Sequence, residues 1–270
     1  MVAGDSIKYC KFGTYSVSLG TKVYFASDFH FGIPDPAGSR DREDRFLRWL
    51  DEVGNDALEI FLMGDLFDFW FEYRQTVPKG YSRLFGKLAS ITDSGIPVHL
   101  FRGNHDMWAF RYFSDELGIR LHRAPEFIQI GTRKFYLAHG DGLGPGDHGY
   151  KFLKKIFANP VCQFLYNWIH PDLGIPLALF WSRRSRYAAF AREQKEQDRT
   201  LHLIEKRITH HSVQILQEHP DVDFLVYGHY HHPLDQRLNA RTRQIVLGDW
   251  LTHFTYARFD GEDIRLLKFG

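Results

Sequence analysis

Apolar positions along the chain fall into two rhythms. Lys22–Ser27 (KVYFAS), Ala57–Gly64 (ALEIFLMG) and Ile96–Gly103 (IPVHLFRG) are short, nearly continuous apolar runs, as expected of strands buried in a sheet. Between them the spacing lengthens. Phe46, Leu50 and Val53 recur at i, i+4 and i+7 within Arg42–Val53. Leu84, Leu88 and Ile91 do the same within Tyr81–Ile91, before a stop at Ser94-Gly95. That is the period of an amphipathic helix. Strand, helix, strand at these intervals predicts βαβ units and a layered α/β fold.

Further along, Glu126–Gly140 predicts a hairpin turning at Gly131-Thr132. Asp223–His229, Gln244–Trp250 and Tyr256–Phe269 supply more strands, the last a pair joined at Asp260-Gly261. The alternation breaks over residues 142–199. This stretch opens with the loop GLGPGDHG, continues as aromatic-rich helices interrupted by proline, and closes in the charge-dense SRRSRYAAFAREQKEQDR. It predicts a helical insertion, or lid, on a core made of residues 1–141 and 200–270. A helix over 199–218 returns to that core, with Leu201, Ile204 and Ile208 on one stripe.

Composition adds mostly exclusions. At 270 residues, 44% hydrophobic and 25% charged, the chain has room for a full core in one large domain with an insertion. A net charge of +1 gives no argument for nucleic acid, and no obligate protein partner is expected. Cys10 and Cys162 are too few for a disulfide framework, which points to a cytoplasmic, reducing location. The first twenty residues lack the apolar core of a secretory signal. The most membrane-like stretch, VCQFLYNWIHPDLGIPLALFW, is broken by His170, Pro171, Asp172 and Pro176, so a spanning helix is not expected.

The 15 histidines change the picture, because several stand at strand ends. Asp28 and His30 follow the first strand, Asp65 the second, and Asn104, His105 and Asp106 the third. His139 ends the hairpin, and His229 and His231 follow Asp223–Tyr227. In open α/β sheets the ligand site lies beyond the carboxyl ends of the strands. Carboxylates, imidazoles and an amide without thiolate suit manganese, iron or zinc. Two such ions about 3.5–4 Å apart need a shared carboxylate, and they lower the pKa of water from about 15.7 towards 7.

In order, D-x-H, G-D, G-N-H-D, H-G and G-H-x-H at Asp28/His30, Gly64-Asp65, Gly103–Asp106, His139-Gly140 and Gly228–His231 resemble the calcineurin-like metallophosphoesterases. The resemblance implies a β-sandwich flanked by helices and two divalent ions, manganese first, with iron or zinc as alternatives. It implies that Asp28, His30, Asp65 and His231 hold one ion, and Asp65 (bridging), Asn104, His139 and His229 the other. His105 would stabilise phosphoryl oxygens or protonate the leaving group, oriented by Asp106.

HGDGLGPGDHGYKFLKKIF, LALFWSRRSR and GDLFDFWF are similar to the subgroup that hydrolyses UDP-2,3-diacylglucosamine in lipid A synthesis. That likeness implies a lipid-linked nucleotide sugar as substrate, with Asp147, Tyr150, Arg183, Arg184 and Ser185 as contacts. It also implies peripheral attachment to an inner-leaflet membrane surface, where lysines and arginines of residues 151–186 would meet anionic groups. A phosphoesterase for a soluble phosphoprotein or nucleotide is the alternative.

Overall fold

In the computed structural model, residues 14–15, 21–144, 148–195 and 197–270 are described. The first part of the chain runs β1 (Thr14–Tyr15), β2 (Lys22–Ala26), α1 (Pro36–Val53), β3 (Ala57–Leu62), α2 (Ser82–Asp93), β4 (Val98–Phe101), α3 (Tyr112–Leu117) and β5 (Arg120–His122). It continues through β6 (Glu126–Ile130) and β7 (Arg133–Ala138) into α4 (His148–Ala158), α5 (Pro160–Asn167), α6 (Pro171–Lys195) and α7 (Gln197–Glu218). The chain then closes with β8 (Phe224–Tyr227), β9 (Leu234–Arg237), β10 (Arg243–Val246), β11 (Thr255–Phe259) and β12 (Ile264–Lys268).

Two six-stranded sheets result, in the orders β12-β11-β2-β3-β4-β5 and β1-β6-β7-β8-β10-β9. Strands β2 to β5 run parallel in the first, and β7, β8 and β10 run parallel in the second. Successive side chains of a strand point to opposite faces, and the sequence uses both. Val23 and Phe25, Phe61 and Met63, and Phe135 and Leu137 fill the space between the sheets. Their neighbours Tyr24, Ala26, Ile60 and Leu62 face α1, α2 and α3. Tyr136 and Leu225 face Ile208 and Ile215 of α7. Phe25 stacks on Phe61 at 5.1 Å within its sheet and on Phe135 at 5.8 Å across the sandwich. Burying each such ring contributes about 1.5–3 kcal/mol. The fold is therefore an α/β sandwich of helices, sheet, sheet and helix.

Helix α1 starts at Pro36, six residues before the stretch Arg42–Val53 in which the apolar period is visible. Its first turn carries no large apolar residue, so periodicity is silent there. Asp35 caps it, accepting the Gly38 N–H at 2.9 Å, and Pro36 supplies a preset φ at the first turn. Strand β9 (LDQR) also escaped the pattern, because it is a polar edge strand with exposed alternate positions.

Strands β7 and β8 pair directly in parallel, yet α4 to α7 lie between them in sequence. Helices α4 to α6 meet the core at an aromatic cluster of Phe69, Phe71, Tyr73 and Trp108, joined by Phe157, Tyr166, Ile175 and Leu179. The Trp108 indole N–H donates to the Phe157 carbonyl at 2.8 Å. Among the described residues, no helix is long and apolar enough to cross a membrane.

Candidate metal centre

The parallel strands of both sheets deliver their polar ends to one place. Asp28 and His30 follow β2, Asp65 follows β3, Asn104 follows β4, His139 follows β7, and His229 and His231 follow β8. Backbone bonds lock the loops together: Phe29 and His30 donate to the Asp65 carbonyl at 3.0 Å, and Gly228 donates to that of His139 at 2.8 Å. Glycine is required where loops nearly touch. A Cβ on Gly103 would strike the Asp65 carboxylate, and one on Gly64, at φ 102°, would strike the His139 ring.

Six described non-glycine residues hold a left-handed φ, and five of them are Asp28, His30, Asp65, His229 and His231. Each costs about 1–2 kcal/mol relative to a right-handed conformation. Strain concentrated on candidate ligands is the signature of a functional site.

The ligand atoms form groups. Asp28, His30 and His231 make one, and Asp65, His139 and His229 another, each with its donor atoms within 4.8 Å of one another. Asp65 links them: its Oδ2 lies 3.3 Å from His139 Nε2 and 3.7 Å from His30 Nε2. The Asn104 side-chain Oδ1 lies 3.3 Å from His139 Nε2. His229 joins the first group by its backbone, donating to Asp28 Oδ2 at 2.8 Å. Tautomers are set from outside. His139 Nδ1 donates to the Met63 carbonyl at 2.7 Å, and His231 Nδ1 faces Asp249 Oδ2 at 3.5 Å. Both rings thereby turn Nε2 inward, the arrangement that orients metal-bound imidazoles.

This donor set fits divalent cations. The buried Asp28 Oδ1 accepts no hydrogen bond, although His231 Nε2 is 3.3 Å away. Burial works against charge on Asp28 and Asp65, yet His231 and His30 at the first, and His139 and His105 at the second, hold both carboxyls below their usual range. Burial likewise opposes charge on His139 and His231. It is outweighed by Asp65 at the one and by Asp249 and Asp28 at the other, which lift them to about 10. The pocket thus demands positive charge. Burial and the His139 charge push His229 down to about 4.

Two partners were not read from sequence. The expected pairing of Asp106 with His105 is not made, because the Asp106 oxygens accept the backbone N–H groups of Gly103 at 2.7 Å and Leu66 at 2.8 Å. Asp106 ties two ligand loops together, and burial followed by the Asp65 charge raises it to about 6. It is Asp68 that meets His105: its carbonyl accepts from Nδ1 at 2.8 Å, and its Oδ1 lies 3.7 Å away. Asp68 Oδ1 also lies 3.6 Å from His30 Nδ1, and Asp68, His30 and His105 form a third compact donor group. Asp249 is the other addition. Asp68 follows the Gly64-Asp65 block by three residues, a signal that could have found it, whereas Asp249 lies eighteen residues past His231 and no motif marks it.

Of the expected substrate contacts, Tyr150 stands beside the centre, its ring 6.3 Å from that of His229 and its hydroxyl donating to Asp141 Oδ2 at 2.5 Å. Arg184 is exposed on α6. Asp147 and the side chains of Arg183 and Ser185 lie outside the described residues.

The family profile described as calcineurin-like phosphoesterase matches residues 21–233. A curated relative from Porphyromonas gingivalis, named UDP-2,3-diacylglucosamine hydrolase, is 35% identical over 92% of this chain and 97% of its own length. Proteins of the same name from Shigella sonnei and Escherichia coli are 27% identical over 91% of this chain and 98% of theirs. With its strand-end ligands in one cluster and the profile spanning all of them, the chain belongs to the calcineurin-like phosphoesterase family, as a metal-dependent phosphoester or diphosphate hydrolase.

Proposed function

We propose that the protein cleaves the diphosphate of UDP-2,3-diacylglucosamine. Water attacks the α-phosphorus, the bond from that phosphorus to the bridging oxygen breaks, and UMP and 2,3-diacylglucosamine 1-phosphate leave. The observation that carries the reading is an apolar surface set beside a phosphoester-cleaving centre. On α4 to α6, Phe152, Phe164, Trp168, Leu173, Phe180 and Trp181 are 60–75% exposed. A soluble substrate needs no such surface, whereas acyl chains and a lipid leaflet do. The names carried by relatives along nearly the whole chain support the same substrate.

In this reading Asp28, His30, Asp65 and His231 hold one ion, and Asp65, Asn104, His139 and His229 a second, with manganese as the native metal. Two divalent ions supply charge against the phosphoryl oxygens and make water acidic enough to attack at neutral pH. The chain does the rest. His105, with Nδ1 held by the Asp68 carbonyl, turns Nε2 towards the leaving oxygen and gives it a proton. Tyr150 and Arg184 receive the sugar and diphosphate, together with Asp147, Arg183 and Ser185. Helices α4 to α6 form a lid that rests on the cytoplasmic face of the inner membrane, the exposed Lys155 facing anionic headgroups while Lys154 is turned inward to Asp141.

Turnover in ¹⁸O-labelled water tests the reading. Label in UMP is expected, and label in the lipid monophosphate would refute attack at the α-phosphorus. Good turnover of bis(4-nitrophenyl) phosphate with none of UDP-2,3-diacylglucosamine would favour a soluble phosphoprotein or nucleotide.

A further inference from the structure

Helix α6 turns two different faces outward and inward. Leu173, Leu177, Phe180 and Trp181 are exposed, while Ile175, Ala178 and Leu179 pack on the aromatic cluster of the core. Ser182 continues the inward stripe, seven residues after Ile175 and three after Leu179. It is a polar residue at the end of an apolar face, and it reaches the metal centre. Its hydroxyl donates to Asp68 Oδ2 at 2.8 Å and lies 3.4 Å from the Asp68 carbonyl and 3.3 Å from His105 Nδ1.

We infer that Ser182 is a positioning residue, which makes the orientation of His105 depend on the seating of α6. Asp68 is the intermediary. Its carbonyl accepts from His105, its Oδ1 stands between His105 Nδ1 and His30 Nδ1, and its Oδ2 is taken by the serine. The Ser182 bond fixes the Asp68 rotamer, and with it the group that aims the imidazole. The His30 and His105 rings meet edge to face at 4.8 Å, so a swing of one is felt by the other. The bond holds only while α6 is seated on the aromatic cluster, and without it His105 loosens. A misplacement of about 1 Å in such a group costs on the order of 10²-fold in rate.

The inference rests on the hydrolytic reading only in having His105 act at the leaving oxygen, and its test does not need the lipid. The substrates are the phenyl and 4-nitrophenyl diesters of UMP, a poor and a good leaving group. Ser182→Ala should lower kcat on the phenyl ester by about tenfold or more, the scale on which general acids act. KM should stay within about twofold, the loss on the 4-nitrophenyl ester within about threefold, and Ser182→Thr should recover most of the loss. Equal losses on both esters, an unchanged kcat, loss of bound metal, or a threonine variant no better than alanine would each overturn the inference. A second arm needs no turnover at all. In the magnesium-loaded protein, Ser182→Ala should shift or broaden the His105 Nδ1–H proton resonance, and an unchanged resonance would overturn the coupling even if neither ester is a substrate.

Discussion

Asp249 sits behind His231, and replacing it with asparagine separates its two jobs. The Oδ1 atom accepts the backbone N–H groups of Thr252 and His253, both at 2.9 Å, and of Leu251 at 3.3 Å. The Oδ2 atom faces His231 Nδ1 at 3.5 Å. In Asp249→Asn the amide oxygen can keep the turn, while the amide nitrogen replaces Oδ2. A donor then faces Nδ1, the ring must accept there, and its proton moves to Nε2, the atom that points at Asp28. Nε2 in that tautomer has no lone pair for a cation. Loss of such an outer partner costs about 10–100-fold in metal affinity, or about 1.4–2.7 kcal/mol. The folded chain should survive, since the three turn bonds remain. Titration of the apo protein with manganese by calorimetry should show one site weakened by that factor, with Tm in excess chelator shifted by less than about 2 °C. An affinity within twofold of wild type would refute the tautomer argument. A large fall in Tm without metal would show that the turn was disturbed instead.

Three further expectations follow from the same geometry. Asp65→Ala removes the carboxylate shared by both ligand groups; with several kcal/mol of charge stabilisation at stake, turnover should fall by about 10³-fold or more, read by steady-state kinetics with metal analysis of the protein. Gly103→Ala drives a Cβ into that carboxylate, so it should cost about 1–3 kcal/mol and lower Tm, measured by calorimetry, and it should also reduce bound metal. Glu59, buried and 3.4 Å from His99 Nε2, has its pKa raised by burial from 4.5 to about 7. The folded state therefore holds this proton more tightly than the unfolded chain, so its contribution is complete below about pH 4.5 and is lost as pH rises through 7. Glu59→Gln should gain on wild type over that interval in urea unfolding, and a difference independent of pH would sink the assignment.

The parts of this molecule written in contiguous residues were legible, and the parts written across loops were not. Central strands such as β2 and β3 are apolar on both faces because both faces are covered, and such runs are visible without a partner. The five ligand blocks were visible for a related reason: each is a strand end followed at once by its donor. Asp68 and Asp249 lie in turns, where an aspartate usually serves as a cap or turn former, and only the fold places them behind His105 and His231. The expectation for Asp106 failed because adjacency in sequence is a poor guide in a tight turn. His105 points outward to Asp68, and Asp106 points inward to two backbone amides. Helix α1 hid its first turn for want of apolar residues, and β9 hid because an edge needs polar ones.

The ligands divide between the layers: Asp28, His30, Asp65 and Asn104 come from the sheet containing β2, and His139, His229 and His231 from the sheet containing β7. A cation held by them is a rivet driven through two plates. Its binding energy is added to the cohesion of the sandwich, by about 2.7 kcal/mol at a hundredfold excess over Kd. Starving the protein of metal should then do more than silence it: because the two plates share one apolar core, the whole sandwich should come apart together at a lower temperature.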